Sequence, residues 1–220
     1  MTVARRGVAE GLGAALLLAT VVGSGIMGER LAGGSVGLAL LANTLATGAG
    51  LVALILTFGP ISGAHFNPVV TLSAAWQGQL RWREAPVYIL AQMLGALLGV
   101  AAAHLMFGEP LFSLSQHVRT GPAQWWSECV ATFGLVAVII GSSQSRPNIT
   151  PFAVAAYITA AYWFTASTSF ANPAVTVARA FTDTFAGIRP VDVLGFTVAQ
   201  LVGALVATVL FRWLYRVQIR

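Results

Sequence analysis

Of the 220 residues, 57% are hydrophobic and only 9% charged, and the net charge of +5 is carried by twelve Arg and no Lys. A water-soluble domain needs far more charge to cover its surface, and the Arg residues flank apolar runs instead of gathering on one polar face, so a soluble protein and a nucleic-acid partner are both disfavoured. The single Cys129 excludes an intramolecular disulfide and a cysteine-built metal site.

The mean hydropathy of +0.79 is unevenly spread. No Asp, Glu, Lys or Arg occurs from Leu31 to Leu80 or from Pro147 to Ala178. Since ~20 helical residues cross the hydrocarbon of a bilayer, such stretches read as membrane spans. The first expected span, Val8–Met27, holds Glu10 in its first turns. It is long and lacks an A-x-A cleavage site, so a secretory signal is disfavoured. The second, Val36–Phe58, leads into Gly59, Pro60, Ser62, Gly63 and His65, and the chain stays uncharged until Arg81. The third is Ala85–Phe107, and the fourth, Trp125–Ser142, again carries an acidic residue, Glu128, near its start. The uncharged stretch that follows is 32 residues, too long for one span and too short for two, so a fifth span, Thr150–Thr168, precedes a shorter piece. Val193–Phe211 is the sixth span. The pieces after the second and fifth spans read as re-entrant segments, tolerated at membrane depth only where protein or a water-filled cavity satisfies their backbone.

The chain repeats itself. Asn67-Pro68-Val69-Val70-Thr71-Leu72 aligns with Asn172-Pro173-Ala174-Val175-Thr176-Val177 at an offset of 105, and Ala91–Leu97 aligns with Ala199–Leu205 at 108. Each half, about 1–112 and 120–220, holds an odd number of spans, so the second is inverted relative to the first. The expected fold is an all-α membrane protein, one channel domain of six transmembrane helices plus two half-helices. With both termini on one face, eight Arg (Arg5, Arg6, Arg81, Arg83, Arg146, Arg212, Arg216 and Arg220) share that face, against Arg30, Arg119, Arg179 and Arg189 opposite. The positive-inside rule then makes the termini cytoplasmic.

Asn is a strong helix N-cap and Pro favours the first helical position, so each Asn-Pro starts a helix. From Asn67 to Trp76 such a helix is ~15 Å long, half the hydrocarbon core. Two of them, entering from opposite faces, meet at their positive N-terminal ends. Each capping Asn keeps its NH₂ free to donate to a water or hydroxylated solute, while the paired helix ends oppose cations and apolar walls disfavour anions.

At these motifs the sequence resembles the aquaporin and aquaglyceroporin (major intrinsic protein) family over nearly its whole length. Ser62–Thr71 looks like that family's signature with Val69 in place of Ala, and Asn172-Pro173-Ala174 is complete. The resemblance implies a homotetramer in a lipid bilayer, with one pore per subunit, no cofactor and no enzymatic activity. It also implies a constriction at Thr47, Ala160, Ser169 and Val175, counted from the two Asn. Nearly all members have Arg at the Val175 position, so a wider and less polar filter is expected. A slip of a residue or two in the fifth span brings Tyr157, Tyr162 or Phe164 to the lumen instead. This filter looks like that of the bacterial branch associated with arsenic resistance, which implies a bacterial inner-membrane location. It also implies passage of glycerol-like polyols, neutral arsenite or antimonite hydroxides and methylated arsenicals.

Several residues carry two readings. Arg179, one helical turn beyond Val175, either charges the outer mouth or pairs with Asp183. Glu10 and Glu128 could relay protons or accept hydrogen bonds from the re-entrant loops. His65 could titrate in the inner vestibule or brace its loop. His104 and His117 have no recognisable partner, and nothing suggests a metal site. Gly7 with Gly11, Gly95 with Gly99, and Gly203 with Ala207 are close-packing pairs. A secondary transporter also uses inverted repeats and broken helices, but no Asp, Lys or Arg lies within a span here. A water-selective channel is the other alternative, and no nucleophile–base pair or phosphate loop points to an enzyme.

Overall fold

A computed structural model describes residues 1–215, which leaves Arg216 and Arg220 outside the described residues. Among the described residues all regular structure is helical. The elements are α1 (Val3–Leu31), α2 (Val36–Ser62), α3 (Pro68–Trp76), α4 (Ala85–Phe107), α5 (Pro122–Ser145), α6 (Thr150–Phe164), α7 (Pro173–Arg179) and α8 (Val193–Tyr215). Five of these helices are long and apolar enough to cross a membrane. The sixth, α6, has only 15 residues and ends four residues before the expected Thr168. Thr165 leaves the helix in an extended conformation, because the chain must turn inward there to reach Asn172. At its other end a single 3₁₀ turn, Pro147–Ile149, lengthens the span.

Capping sets several of the boundaries. The Thr2 hydroxyl accepts from the Arg5 amide at 3.4 Å and starts α1 five residues earlier than the apolar run does. Gly63 ends α2 with φ of 95°, a left-handed cap that glycine adopts without steric cost. The half-helix α3 begins at Asn67, whose side chain accepts from the Val69 amide at 3.1 Å, and Pro68 occupies its first turn.

The packing is two copies of one pattern. α1 lies on α4 and α2, and α5 lies on α8 and α6. The halves join where α2 meets α6, where α3 reaches α8 and where α7 reaches α4. The two half-helices also touch each other. Close approach within each half depends on small residues: a side chain at Gly95 or Gly99 would run into the α1 backbone at Gly11 and Ala15, and one at Gly203 into Cys129 of α5. Gly203→Leu is therefore expected to destabilise the fold by ~3 kcal/mol or more, since rigid backbone leaves no room to relax. Gly37→Ala, with open space around it, should leave the thermal midpoint unchanged in a detergent-solution unfolding assay.

Large apolar side chains such as Leu12, Leu90, Leu98, Leu105 and Leu194 are exposed around the helical barrel, as a lipid-facing surface requires. Most of their inward-facing counterparts form one core that runs through both halves, and the rest form two smaller clusters.

Candidate functional site

A cavity of about 340 Å³ runs through the middle of the molecule. Arg6, His65, Gln79 and Tyr88 line it near the N-terminal face, and Thr47, Tyr162, Ser169, Val175 and Arg179 line it toward the opposite face. Asn67 and Asn172 stand between these two groups. Much of the remaining wall is apolar, including Leu17, Val21, Leu51, Leu135, Ile139 and Ile158, with Ser73, Gln77, Ser143 and Thr150 among the polar exceptions. The other motif residues, Pro68, Val69, Pro173 and Ala174, are buried behind the lumen. Val69 packs against Val136, Ile140, Ala204 and Ala207, so its bulk beyond alanine does not narrow the cavity.

The two Asn side chains lock the halves together. Asn67 Nδ2 donates to the Ala171 carbonyl at 2.8 Å, and Asn172 Nδ2 donates to the Phe66 carbonyl at 2.8 Å. Each Oδ1 caps its own half-helix, Asn172 Oδ1 accepting from the Ala174 amide at 2.9 Å. The sequence reading left both amide hydrogens free. In the structure one is given across the repeat axis, and one remains for the lumen.

Glu10 and Glu128 hold the loops that lead to the Asn residues. Glu10 accepts from the His65 amide at 3.0 Å and the Phe66 amide at 2.7 Å. Glu128 accepts from the Phe170 and Ala171 amides, both at 2.8 Å. These loops need holding, because Ala64, Phe66, Ser169 and Ala171 all have φ near +50°. Such conformations cost a non-glycine residue ~1–3 kcal/mol each and persist only when the surroundings over-determine them. Two glutamines complete the bracing. Gln92 Nε2 bridges Glu10 and Thr71 at 2.8 and 2.9 Å, and Gln200 Nε2 bridges Glu128 and Thr176 at 2.6 and 2.8 Å. Both glutamines lie in the repeated frames Ala91–Leu97 and Ala199–Leu205. A polar residue at the same register of two apolar spans was the signal, and the sequence reading gave it no role.

His65 Nδ1 lies 3.1 Å from Thr71 Oγ1, and its ring centroid is 5.4 Å from that of Tyr88. The equivalent pair in the second half is Phe170 against Phe196, with centroids 5.2 Å apart. His104 is buried, with Nε2 2.7 Å from Thr182 Oγ1, so it has a partner the sequence did not reveal. His117 lies in the linker between the halves, where desolvation by its neighbours and the Arg119 guanidinium hold its imidazole below the usual range. No cluster of His, Cys, Asp and Glu suited to a metal ion occurs among the described residues.

Of the four residues expected at a constriction, Thr47, Ser169 and Val175 line the cavity and Ala160 does not. Ala160 is exposed on the outer face of α6, and Tyr162 is the inward residue, buried and lining the cavity. Two residues on a helix turn the side chain by ~200°, which carries it to the opposite face. The Tyr162 hydroxyl donates to Thr47 Oγ1 at 3.4 Å, and Ser169 and Val175 line the same cavity. Arg179 makes no ion pair with Asp183 among the described residues. Asp183 Oδ1 accepts from the Gln116 amide at 2.8 Å instead.

Comparison with known proteins gives the following matches. The sequence model of the family described as Major intrinsic protein matches residues 1–158. Aquaglyceroporin AqpS of Rhizobium meliloti (strain 1021) is 58% identical over 210 residues, covering 96% of this chain and 90% of its own. The probable aquaporin NIP7-1 of Arabidopsis thaliana is 29% identical over 212 residues, covering 93% and 74%. The glycerol uptake facilitator protein of Bacillus subtilis (strain 168) is 36% identical over 128 residues, covering 51% and 46%. Among solved structures, the aquaglyceroporin from Plasmodium falciparum superposes with a TM-score of 0.68 at 20% identity, covering 97% of this chain and 96% of that one.

Proposed function

The chain belongs to the major intrinsic protein family of membrane channels, and from that premise we propose a passive pore for hydroxylated neutral solutes larger than water. The preferred solutes are glycerol-like polyols and neutral metalloid hydroxides such as arsenite, with methylated arsenicals in the same size class and water alongside. The observation that carries this reading is the constriction of Thr47, Tyr162, Ser169 and Val175. Val175 stands where the family resemblance places an arginine, and it lines the cavity with two methyl groups in place of a bulky five-donor fork. The hydroxyls of Thr47 and Tyr162 offer hydrogen bonds to a solute that carries its own hydroxyls. Deeper in, Asn67 and Asn172 donate to the same solute while their half-helix termini disfavour cations.

Glu10, Glu128 and His65 act as braces in this reading. The carboxylates spend their lone pairs on loop amides and on the glutamines. That occupancy also argues against a secondary transporter, whose coupling carboxylates must exchange a proton or ion. The termini are cytoplasmic in a bacterial inner membrane. Arg6 and Arg81 meet at Glu84, and Arg212 reaches the Trp76 carbonyl, contacts of three Arg from the larger group that support this orientation. We propose, from the family resemblance, that the assembly is a homotetramer; every residue lining the cavity described above comes from one subunit.

The test is uptake into proteoliposomes of the purified protein. Glycerol and neutral arsenite should each equilibrate several-fold faster than into protein-free vesicles. If water alone is accelerated, the reading gives way to a water-selective channel.

A further inference from the structure

One charged side chain in the far half of the cavity is held in a fixed orientation with part of its donor set unpaired among the described residues. Arg179, the last residue of α7, is 2% exposed and lines the lumen one helical turn beyond Val175. Its guanidinium lies over the Phe170 ring, with Cζ 3.4 Å from the centroid, and its Nε donates to the Ala186 carbonyl. Those two contacts fix the plane of the fork. Nη1 and Nη2 make no hydrogen bond to any described residue, yet they are not sealed from solvent. Four N–H donors are therefore left for whatever occupies the lumen.

No described carboxylate neutralises this charge. Asp192 is held by Arg189, and Glu128 is engaged by the loop amides and Gln200. A second cation reinforces it: Arg119 Cζ lies 5.0 Å from the centroid of the same Phe170 ring, its Nε donating to the Gly187 carbonyl at 2.8 Å. Phe170 is thus gripped by two guanidinium groups, and only Arg179 also lines the cavity.

We propose that Arg179 is the charge-selecting residue of this pore, presenting a fixed, partly free guanidinium to the solute one helical turn outside Val175. This rests on the reading of the chain as a channel for neutral hydroxylated solutes. Width and charge are then set at two levels of the lumen. Val175, Thr47 and Tyr162 leave room for a polyol-sized solute, while Arg179 repels cations before they reach that level and donates to the hydroxyl oxygens of a neutral solute. Placing the cation on the rim keeps its electrostatic effect without filling the narrowest section.

The test uses Arg179→Leu and Arg179→Lys in proteoliposomes, with glycerol flux and the leak of protons and potassium both measured. For Arg179→Leu the cation leak should rise about tenfold or more, as removing ~1.4 kcal/mol from a barrier gives, and glycerol flux should fall relative to water flux. Arg179→Lys should keep cations out but lose part of the glycerol preference, because a point charge does not reproduce the planar fork. A folded Arg179→Leu with wild-type leak and wild-type glycerol-to-water ratio overturns the proposal. If Arg179→Leu does not fold, Arg179→Lys decides: a reduced glycerol-to-water ratio without a leak supports it, and any other pattern overturns it. Wild-type glycerol flux, measured beside the variants, separates the two levels. Absent wild-type flux would refute the channel reading itself, whereas normal wild-type flux with unaltered variants would refute only the role of Arg179.

Discussion

Val175→Arg is expected to cut glycerol flux about tenfold or more while changing water flux far less, the loss corresponding to ~1.4 kcal/mol or more on the crossing barrier. Val175 is 5% exposed, and it shares the ring with Thr47, Tyr162 and Ser169. An arginine there would project a long side chain into a section already bounded by the Tyr162 ring. A solute with several carbons must then shed water and bend around the guanidinium, whereas a single water molecule passes beside it and gains a donor. The Arg179 guanidinium one turn away would add like-charge repulsion, pressing the new fork further into the lumen. Stopped-flow shrinkage and reswelling of one vesicle preparation reports both fluxes. Equal glycerol-to-water ratios in wild type and variant would remove Val175 from the constriction.

Glu128→Ala should act on the fold and the pore together. Removing the carboxylate leaves the Phe170 and Ala171 amides and the Gln200 side chain without their acceptor in a buried site. Each unsatisfied buried group costs ~1–3 kcal/mol, so for three groups a loss of about 3–9 kcal/mol is expected, a large share of a typical folding free energy. The strained φ values at Ser169 and Ala171 would relax at the same time, withdrawing the Ala171 carbonyl that accepts from Asn67. The lock between the halves then opens, and solute flux should be nearly abolished even in protein that survives purification. The thermal midpoint in detergent and the flux per folded molecule check the two parts separately. Glu10→Ala should behave alike, because Glu10 holds Phe66, whose carbonyl accepts from Asn172.

What could be read from the sequence followed the range of the physics involved. The Asn-Pro starts were legible because capping is local: the side chain bonds an amide two residues on. The duplication was legible because both halves bury the same small and polar residues at the same register, Gly95 with Gly203 and Gln92 with Gln200. In the fifth span the count from Asn172 falls on Ala160 and reaches Tyr162 only as an alternative, for a mechanical reason. Counting back from Asn172 crosses Thr165–Ala171, where Thr168, Ser169 and Ala171 have positive φ, so helical register is lost. An error of two residues then exchanges the outward Ala160 for the inward Tyr162. The acceptor of Gln200 was hidden, because Glu128 stands on another helix 72 residues away, and the contacts of Arg179 were hidden because they depend on how the loops at the two ends of α7 fold back. Asp183, near Arg179 in sequence, caps the linker at Gln116, while Arg179 turns to Phe170 and Ala186. The fate of the Asn amides was hidden likewise, since their acceptors come from the other half.

Glycerol equilibration in proteoliposomes whose proton, sodium and potassium gradients have been collapsed by ionophores, with membrane current recorded in parallel, tests the passive pore most directly. The expected result is a flux proportional to the glycerol gradient alone and unaccompanied by current. A flux that vanishes when the ion gradients are removed, or a current that scales with glycerol movement, would contradict it.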